Sequence, residues 1–562
     1  MSSSSDDTHF EVFEKANRKA SWRLVEARDT KASALELAAE RIKKTPGASI
    51  RVTKEKWIAD DGAFRSYTIF EAGEKFEEDD RADRTAEIPC RTPGDLAKAM
   101  ARETIGRVLG DWLSRNKATP LELLHRVDLV EKLEASGTEY QHAIQKVAIA
   151  RASSADANVQ NIIKQLNALL QRTIEQLYES HRAEAFVAVK PGRFADAVDA
   201  ATGEGAQKLR GAIALHLKDA DRWTAKLDAI LTLAEETRGM DKAQRALAVN
   251  VLGEYAVDII EIEAARIALL DGDCDTGDAL DAYTDIILGK EHPRASDIGK
   301  RLARAFASGL FRDAQCVIAD RVLGGLTAPK RLKPDDIRAE IKLNRSIADR
   351  LILVAGRLVS QEALVEAFVY RSGRLLGEDA IESLLDHAAG HSEALAALVE
   401  LEDNIVGDAN KSRLAGLIRA RLVHMPVETH FLRGRAAPTG RLAELATLRR
   451  DVDATSFTAQ DRAEIGEIID RYATTIENEA KLFDQIARRS TSAIEAAATL
   501  LKLVDGGVTP AGRLAEAART RAKELLASEG AKAELLSGDP APRALAEELT
   551  RRLAKDDEEA AA

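Results

Sequence analysis

The chain has 562 residues, 45% of them hydrophobic but only 4% aromatic, and a net charge of −12 from 93 acidic and 81 basic side chains. That length exceeds one compact core and implies about two to four domains, while the negative balance disfavours nucleic-acid binding over the whole surface. No run reaches the ~18 apolar residues a bilayer span requires. The isolated Cys90, Cys274 and Cys316 also exclude a disulfide framework or a zinc site built from CxxC pairs.

With so few aromatics, burial falls to Ala, Leu, Ile and Val. Only 13 prolines interrupt the chain, so the class expected is mainly α. The opening Met1-Ser-Ser-Ser-Ser-Asp-Asp has neither the basic nor the apolar stretch of a secretory leader. A cytoplasmic protein is the expectation, and the Ala- and Arg-rich composition fits a bacterial source.

Residues 1–20 read as a polar tail that turns helical. Residues 21–71 carry the period-two pattern of strands. Trp22-Arg-Leu-Val-Glu-Ala reads as a strand, 30–44 as a helix, and 48–57 as a second strand. Asp60-Asp61-Gly62 turns the chain into a third strand over 64–70. The result is a small N-terminal α+β unit of β-α-β-β order, whose sheet edges need covering. Residues 72–92 read as an acidic linker.

From Pro93 onward helical spacing dominates. The chain shows no fixed period of about 30 to 50 residues, so the body is expected to be a large, irregular set of antiparallel helical hairpins. It divides into 93–330, a central part 331–437 and a C-terminal part 438–562. Val159, Ile162, Ile163, Leu166, Leu169, Leu170, Ile174 and Leu177 form a narrow stripe resembling a coiled-coil seam. In the central part Ile337, Ile341, Ala348, Leu351, Ile352, Ala355, Leu358 and Val359 share a face that Leu343, Ile347 and Val354 widen. Such a wide face predicts a deeply buried helix. Beyond Pro438, Thr458 is placed to cap a helix on which Ile465, Ile468, Ile469, Tyr472, Ile476, Phe483 and Ile486 keep to one side. Ser492-Ala-Ile-Glu495 is a capping box for the next. The chain ends in an acidic tail.

Three local patterns bear on chemistry. Asp271, Asp273 and Asp275 match the first three ligand positions of an EF-hand loop. Thr276 then stands where that loop needs Gly, and Ala282 where it needs a bidentate Glu. These carboxylates are metal candidates, with helix capping as the competing reading. His387 and His391 have the four-residue spacing of two ligands on one helix face, but Gly390 breaks the alignment. The segment 411–441 concentrates Lys411, Arg413, Arg419, Arg421, Arg433, Arg435 and Arg441, with His424 and His430, against Glu428 alone. Guanidinium forks suit carboxylates and phosphates. Arg433, Arg435, Arg441 and Arg419 are therefore the anion- or partner-binding candidates. Glu402 and Arg421 each fall on an apolar helix face, which suggests a structural ion pair between them.

No residue set specifies a catalytic centre, and no cofactor is expected. The reading that follows is a non-enzymatic cytoplasmic scaffold or regulatory protein acting through protein–protein contacts, its partner acidic at the surface, with a homodimer as a further expectation. The alternative is an enzyme or ligand-binding protein for a phosphate- or carboxylate-bearing small molecule. It would use the 411–441 segment together with a divalent metal at Asp271, Asp273 and Asp275.

Overall fold

A computed structural model describes residues 8–15, 23–45, 48–58, 63–73, 90–155, 158–190, 192–202, 205–536 and 540–561. The protein is mainly α with a small N-terminal α+β unit. It falls into two compact units. The first comprises Met1–Thr104 and Tyr140–Arg172, and the second Ile105–Glu139 and Thr173–Ala562.

In the first unit four antiparallel strands, β1 (Thr8–Lys15), β2 (Arg23–Arg28), β3 (Ser49–Ile58) and β4 (Ala63–Gly73), form a sheet of order β2-β1-β3-β4. The helix Lys31–Lys44 crosses one face, burying Ala34 and Ala38 against Phe10, Val12, Ile50 and Val52. Thr30 caps it by accepting from the Ser33 amide. The expected β-α-β-β unit is thus β-β-α-β-β. The segment taken for a tail carries a central strand, with Val12 paired to Val52 on one side and Glu26 on the other. Phe10 and Val12 alternate with polar neighbours, the period-two signal of a half-buried strand. Most of the acidic 72–92 stretch lies outside the described residues.

The second unit is helical. An apolar core joins Leu395, Leu398, Leu414, Ile418, Leu445, Ile465, Ile469, Tyr472, Leu500 and Leu514. Thr458 and Ser492 cap the helices Ala459–Ala480 and Ala493–Asp505 as their sequences predict, accepting from the amides of Asp461 and Glu495. The isoleucine face is buried, but its helix is not continuous. Lys481 adopts φ 48°, and Glu477 accepts from the amides of Leu482 and Phe483, which restarts the helix as Leu482–Arg489. The wide face beginning at Ile337 also breaks early. Helix Ile337–Leu351 ends in a 3₁₀ turn that leaves Ile352 and Leu353 exposed, and its buried side includes Glu340 and Asn344.

That burial of Glu340 is purposeful. Its carboxylate accepts from the Leu332 amide at 3.1 Å and from Arg331 at 2.9 Å. Arg371, 1% exposed, lies 3.9 Å away and donates to the carbonyls of Gly325, Leu326, Ala328 and Lys330. One guanidinium thereby gathers carbonyls from the end of helix Arg312–Leu326 and from the chain just beyond it.

A second polar knot is built on Thr119-Pro-Leu-Glu122, a capping box in which Glu122 accepts from the Thr119 amide. Its other oxygen accepts from Arg126 at 2.9 Å and from the fully buried Lys226 at 2.6 Å. Lys226 also donates to the Leu217 carbonyl. Burial pushes the Lys226 ammonium below its ordinary value, and Glu122 opposes that shift. Beside the knot, His125 donates from Nδ1 to the Leu121 carbonyl, and its Nε2 has no hydrogen-bond partner among the described residues.

Burial pushes the His125 imidazole down from 6.5 to about 4. Between those values the unfolded chain binds a proton that the folded chain refuses. Stability is therefore complete above about pH 6.5 and falls as pH drops towards 4, by roughly 3 kcal/mol over that window. His125→Leu should flatten the decline when unfolding is followed at pH 7, 5.5 and 4.5. An unchanged slope assigns the decline to other groups.

Candidate functional site

The basic segment belongs to the second unit and occupies the helices Asp408–Leu422 and Met425–Arg433 and the start of Pro438–Asp453. Leu414, Ala415, Ile418 and Leu422 anchor the first helix in the core, and Val427 and Phe431 anchor the second. Gly434 ends the second at a point where a Cβ would lie 2.2 Å from the His430 carbonyl oxygen, so no other residue fits without a shift.

The cations of this segment divide into two groups. Lys411 is bound to Glu402 and Ser456. Arg419 pairs with Glu464 and lies 3.9 Å from Asp461. Arg441 donates to the carbonyls of Phe431 and Leu432, closing the end of helix Met425–Arg433. Arg433 and Arg435 are exposed, and among the described residues neither forms an ion pair. Of the four candidates, then, Arg419 and Arg441 serve the fold, and Arg433 and Arg435 face solvent.

The suggested Glu402–Arg421 pair is not formed. Glu402, 3% exposed, accepts from Lys411 and from Ser456. The reason is distance along a helix. Lys411 stands one turn from the 3₁₀ turn carrying Glu402, and Arg421 lies ten residues further, roughly 15 Å along the axis. Burial raises the Glu402 carboxyl, but Lys411 and Ser456 override it and hold the group below its ordinary value. The Arg421 charge instead adds to the burial and the His430 charge that hold His391 below its ordinary value, and among the described residues the Arg421 Nε is buried without a hydrogen-bond partner.

At the metal candidates, Asp275 caps helix Thr276–Ile287 by accepting from the Asp278 amide at 2.7 Å. Lys333 bridges Asp275 and Asp278 at 2.8 and 2.5 Å. Arg294 joins Asp278, and Arg350 holds Asp281 and Asp285. Asp271 and Asp273 are exposed on the turn before the cap. The later part of the acidic run, from Asp275 to Asp285, is thus matched by cations from other segments. Among the described residues no group of three or more His, Cys, Asp or Glu side chains is placed to hold a metal ion. His387 donates to the Ser383 carbonyl at one helix end, and His391 opens the next helix.

A cluster that no local motif announces gathers around His391. His391 and His430 meet edge to face at 5.5 Å. His430 Nε2 lies 2.9 Å from Glu444 and 3.2 Å from the Ser392 hydroxyl, which itself donates to the same Glu444 oxygen at 2.5 Å. A serine–histidine–carboxylate relay needs both imidazole nitrogens, one facing each partner. Here both partners face Nε2, so the set is a hydrogen-bonded clamp between helices. Its members are up to 52 residues apart, beyond the reach of motif reading.

No family model matches this chain, and no curated protein or solved structure is significantly similar to it. No helix among the described residues is long and apolar enough to cross a membrane.

The pairing at Glu402 has a measurable consequence. Lys411→Met should cost about 2 kcal/mol at pH 7, between the values for exposed and fully buried pairs, and Arg421→Met should cost much less. Because the Glu402 carboxyl is depressed in the fold, the pair's contribution is present above about pH 4.5 and disappears as pH falls below it. Denaturant midpoints at pH 7 and pH 3.5 test this. Equal losses for the two variants at pH 7 would sink the assignment.

Proposed function

We propose that this chain is a non-enzymatic helical scaffold or regulatory protein that holds an acidic protein segment against the outer face of helix Met425–Arg433. The observation that carries the reading is the composition of that face. Met425, 74% exposed, Thr429 and Arg433 recur at four-residue spacing on the solvent side. Val423, 49% exposed, precedes them and the exposed Arg435 follows. An apolar end and a cationic end on one helix provide a contact for burial and another for electrostatic steering.

An exposed helix face has no concave walls of the kind that enclose a small molecule. This favours a macromolecular partner over a free phosphate or carboxylate. A two-fold dimer built on the face would gather both copies of Arg433 and Arg435 into one interface, which favours a different, acidic partner.

A photo-crosslinking residue at position 429 tests the assignment in the source cell. The captured segments should be rich in Asp and Glu, and capture should weaken as salt rises. The double variant Arg433→Glu, Arg435→Glu should lose most of the crosslinks with its melting temperature nearly unchanged. Undiminished crosslinking by that variant, or captured segments with no acidic excess, removes this face as the binding site.

A further inference from the structure

A groove in the second unit shares no lining residue with the Met425–Arg433 face. It runs between helices Ala459–Ala480 and Arg513–Ala527 as two adjoining cavities of about 730 and 520 Å³, which share Glu477, Asn478, Phe483 and Ala517. The buried Phe483 and Leu514 lie in its floor. One wall runs from Glu464 to Asn478, roughly 21 Å of helix, the span of about six residues of extended chain.

The charges along it are unequally committed. Glu464 is paired with Arg419, and Glu477 receives the amides of Leu482 and Phe483. Asp484 and Glu524 both engage Arg521. Arg471 and Arg513 are exposed into the groove and form no ion pair among the described residues, even with Glu467 one turn before Arg471. Arg471 is held over the Tyr472 ring at 5.5 Å, and the Tyr472 hydroxyl is fixed by the Leu422 carbonyl. That stacking orients its guanidinium before any ligand arrives. The hydroxyls of Thr474 and Thr475 donate to backbone carbonyls of their own helix. Asn478 is exposed where the two cavities meet, and its side-chain amide makes no hydrogen bond among the described residues.

We infer that this groove is a second binding site, for an extended peptide segment bearing carboxylates. An Asn amide both donates and accepts, as one unit of extended backbone requires. The two guanidinia bind carboxylates at one end of the groove, and the apolar floor takes a side chain between them. This assignment stands without the Met425–Arg433 reading, and it is tested with that face disabled.

The experiment is a selection of displayed random octapeptides on the full-length Arg433→Glu, Arg435→Glu protein. The enriched sequences should be rich in Asp and Glu. Introducing Arg471→Glu and Arg513→Glu, both at exposed positions, should lower binding of those peptides at least tenfold. Asn478→Ala should weaken all of them by about three- to tenfold, the range expected for one or two hydrogen bonds. If the charge-reversed protein fails to fold, Ala517→Trp fills the groove from an exposed position and should block binding equally. No enrichment, enrichment without acidic bias, or binding that survives both the charge reversal and Ala517→Trp overturns the inference.

Discussion

A charge taken out of water must be met by an opposite charge or by several aligned dipoles, or the fold loses several kcal/mol. The helical unit is built around three answers to that demand. Lys226 and Arg126 share one oxygen of Glu122. Arg371 is surrounded by four carbonyls with Glu340 behind them. Lys411 and Ser456 close on Glu402. Each joins segments far apart in the chain, so each fixes how helices approach where an Ala- and Leu-rich surface is slippery. Apolar faces of that kind tolerate sliding, whereas a buried guanidinium with four acceptors has one position.

The same demand explains where the sequence was legible. Helix caps at Thr458 and Ser492, the apolar core around Ile469 and the mainly α class depend on neighbours within a few residues or on composition, and they can be read directly. The central strand Thr8–Lys15 was hidden by the polar residues before it, although Phe10 and Val12 alternate correctly. The long face from Ile337 misled because apolar spacing was followed through Ile352, and the buried side instead turns through Glu340 and Asn344. Glu340 is buried because Arg331 and the Leu332 amide, which come before the helix, bond its carboxylate, with Arg371 3.9 Å away. Asn344 is buried with no side-chain hydrogen bond among the described residues.

The candidate site was legible in outline and not in detail. Counting charges located the basic segment, and position set Arg421 apart from Arg433, Arg435, Arg441 and Arg419, but nothing local separated the paired from the exposed among those four. Roles in the segment depend on partners: Ser456 for Lys411, Glu464 for Arg419 and the end of a neighbouring helix for Arg441. The acidic run at 271–285 shows the converse. Lys333, Arg294 and Arg350 come to it from other segments and pair with Asp275, Asp278, Asp281 and Asp285, while Asp271 and Asp273 stay exposed. The His391, Ser392, His430 and Glu444 clamp left no trace in any one stretch of sequence.

What distinguishes a functional cation from a structural one is therefore its commitment, and commitment also ranks the exposed pair. Arg433 closes the last turn of its helix, where the negative end of the helix dipole already favours a cation by about 0.3–1 kcal/mol. A partner carboxylate drawn to Arg433 must approach that same negative end. Arg435 lies beyond Gly434 and outside the helix, free of that opposition. Of the two exposed arginines flanking Gly434, Arg435 should contribute more to holding an acidic partner and Arg433 more to ending the helix. Single substitutions separate the two roles: charge reversal at 435 reduces capture more, and charge reversal at 433 lowers the melting temperature more.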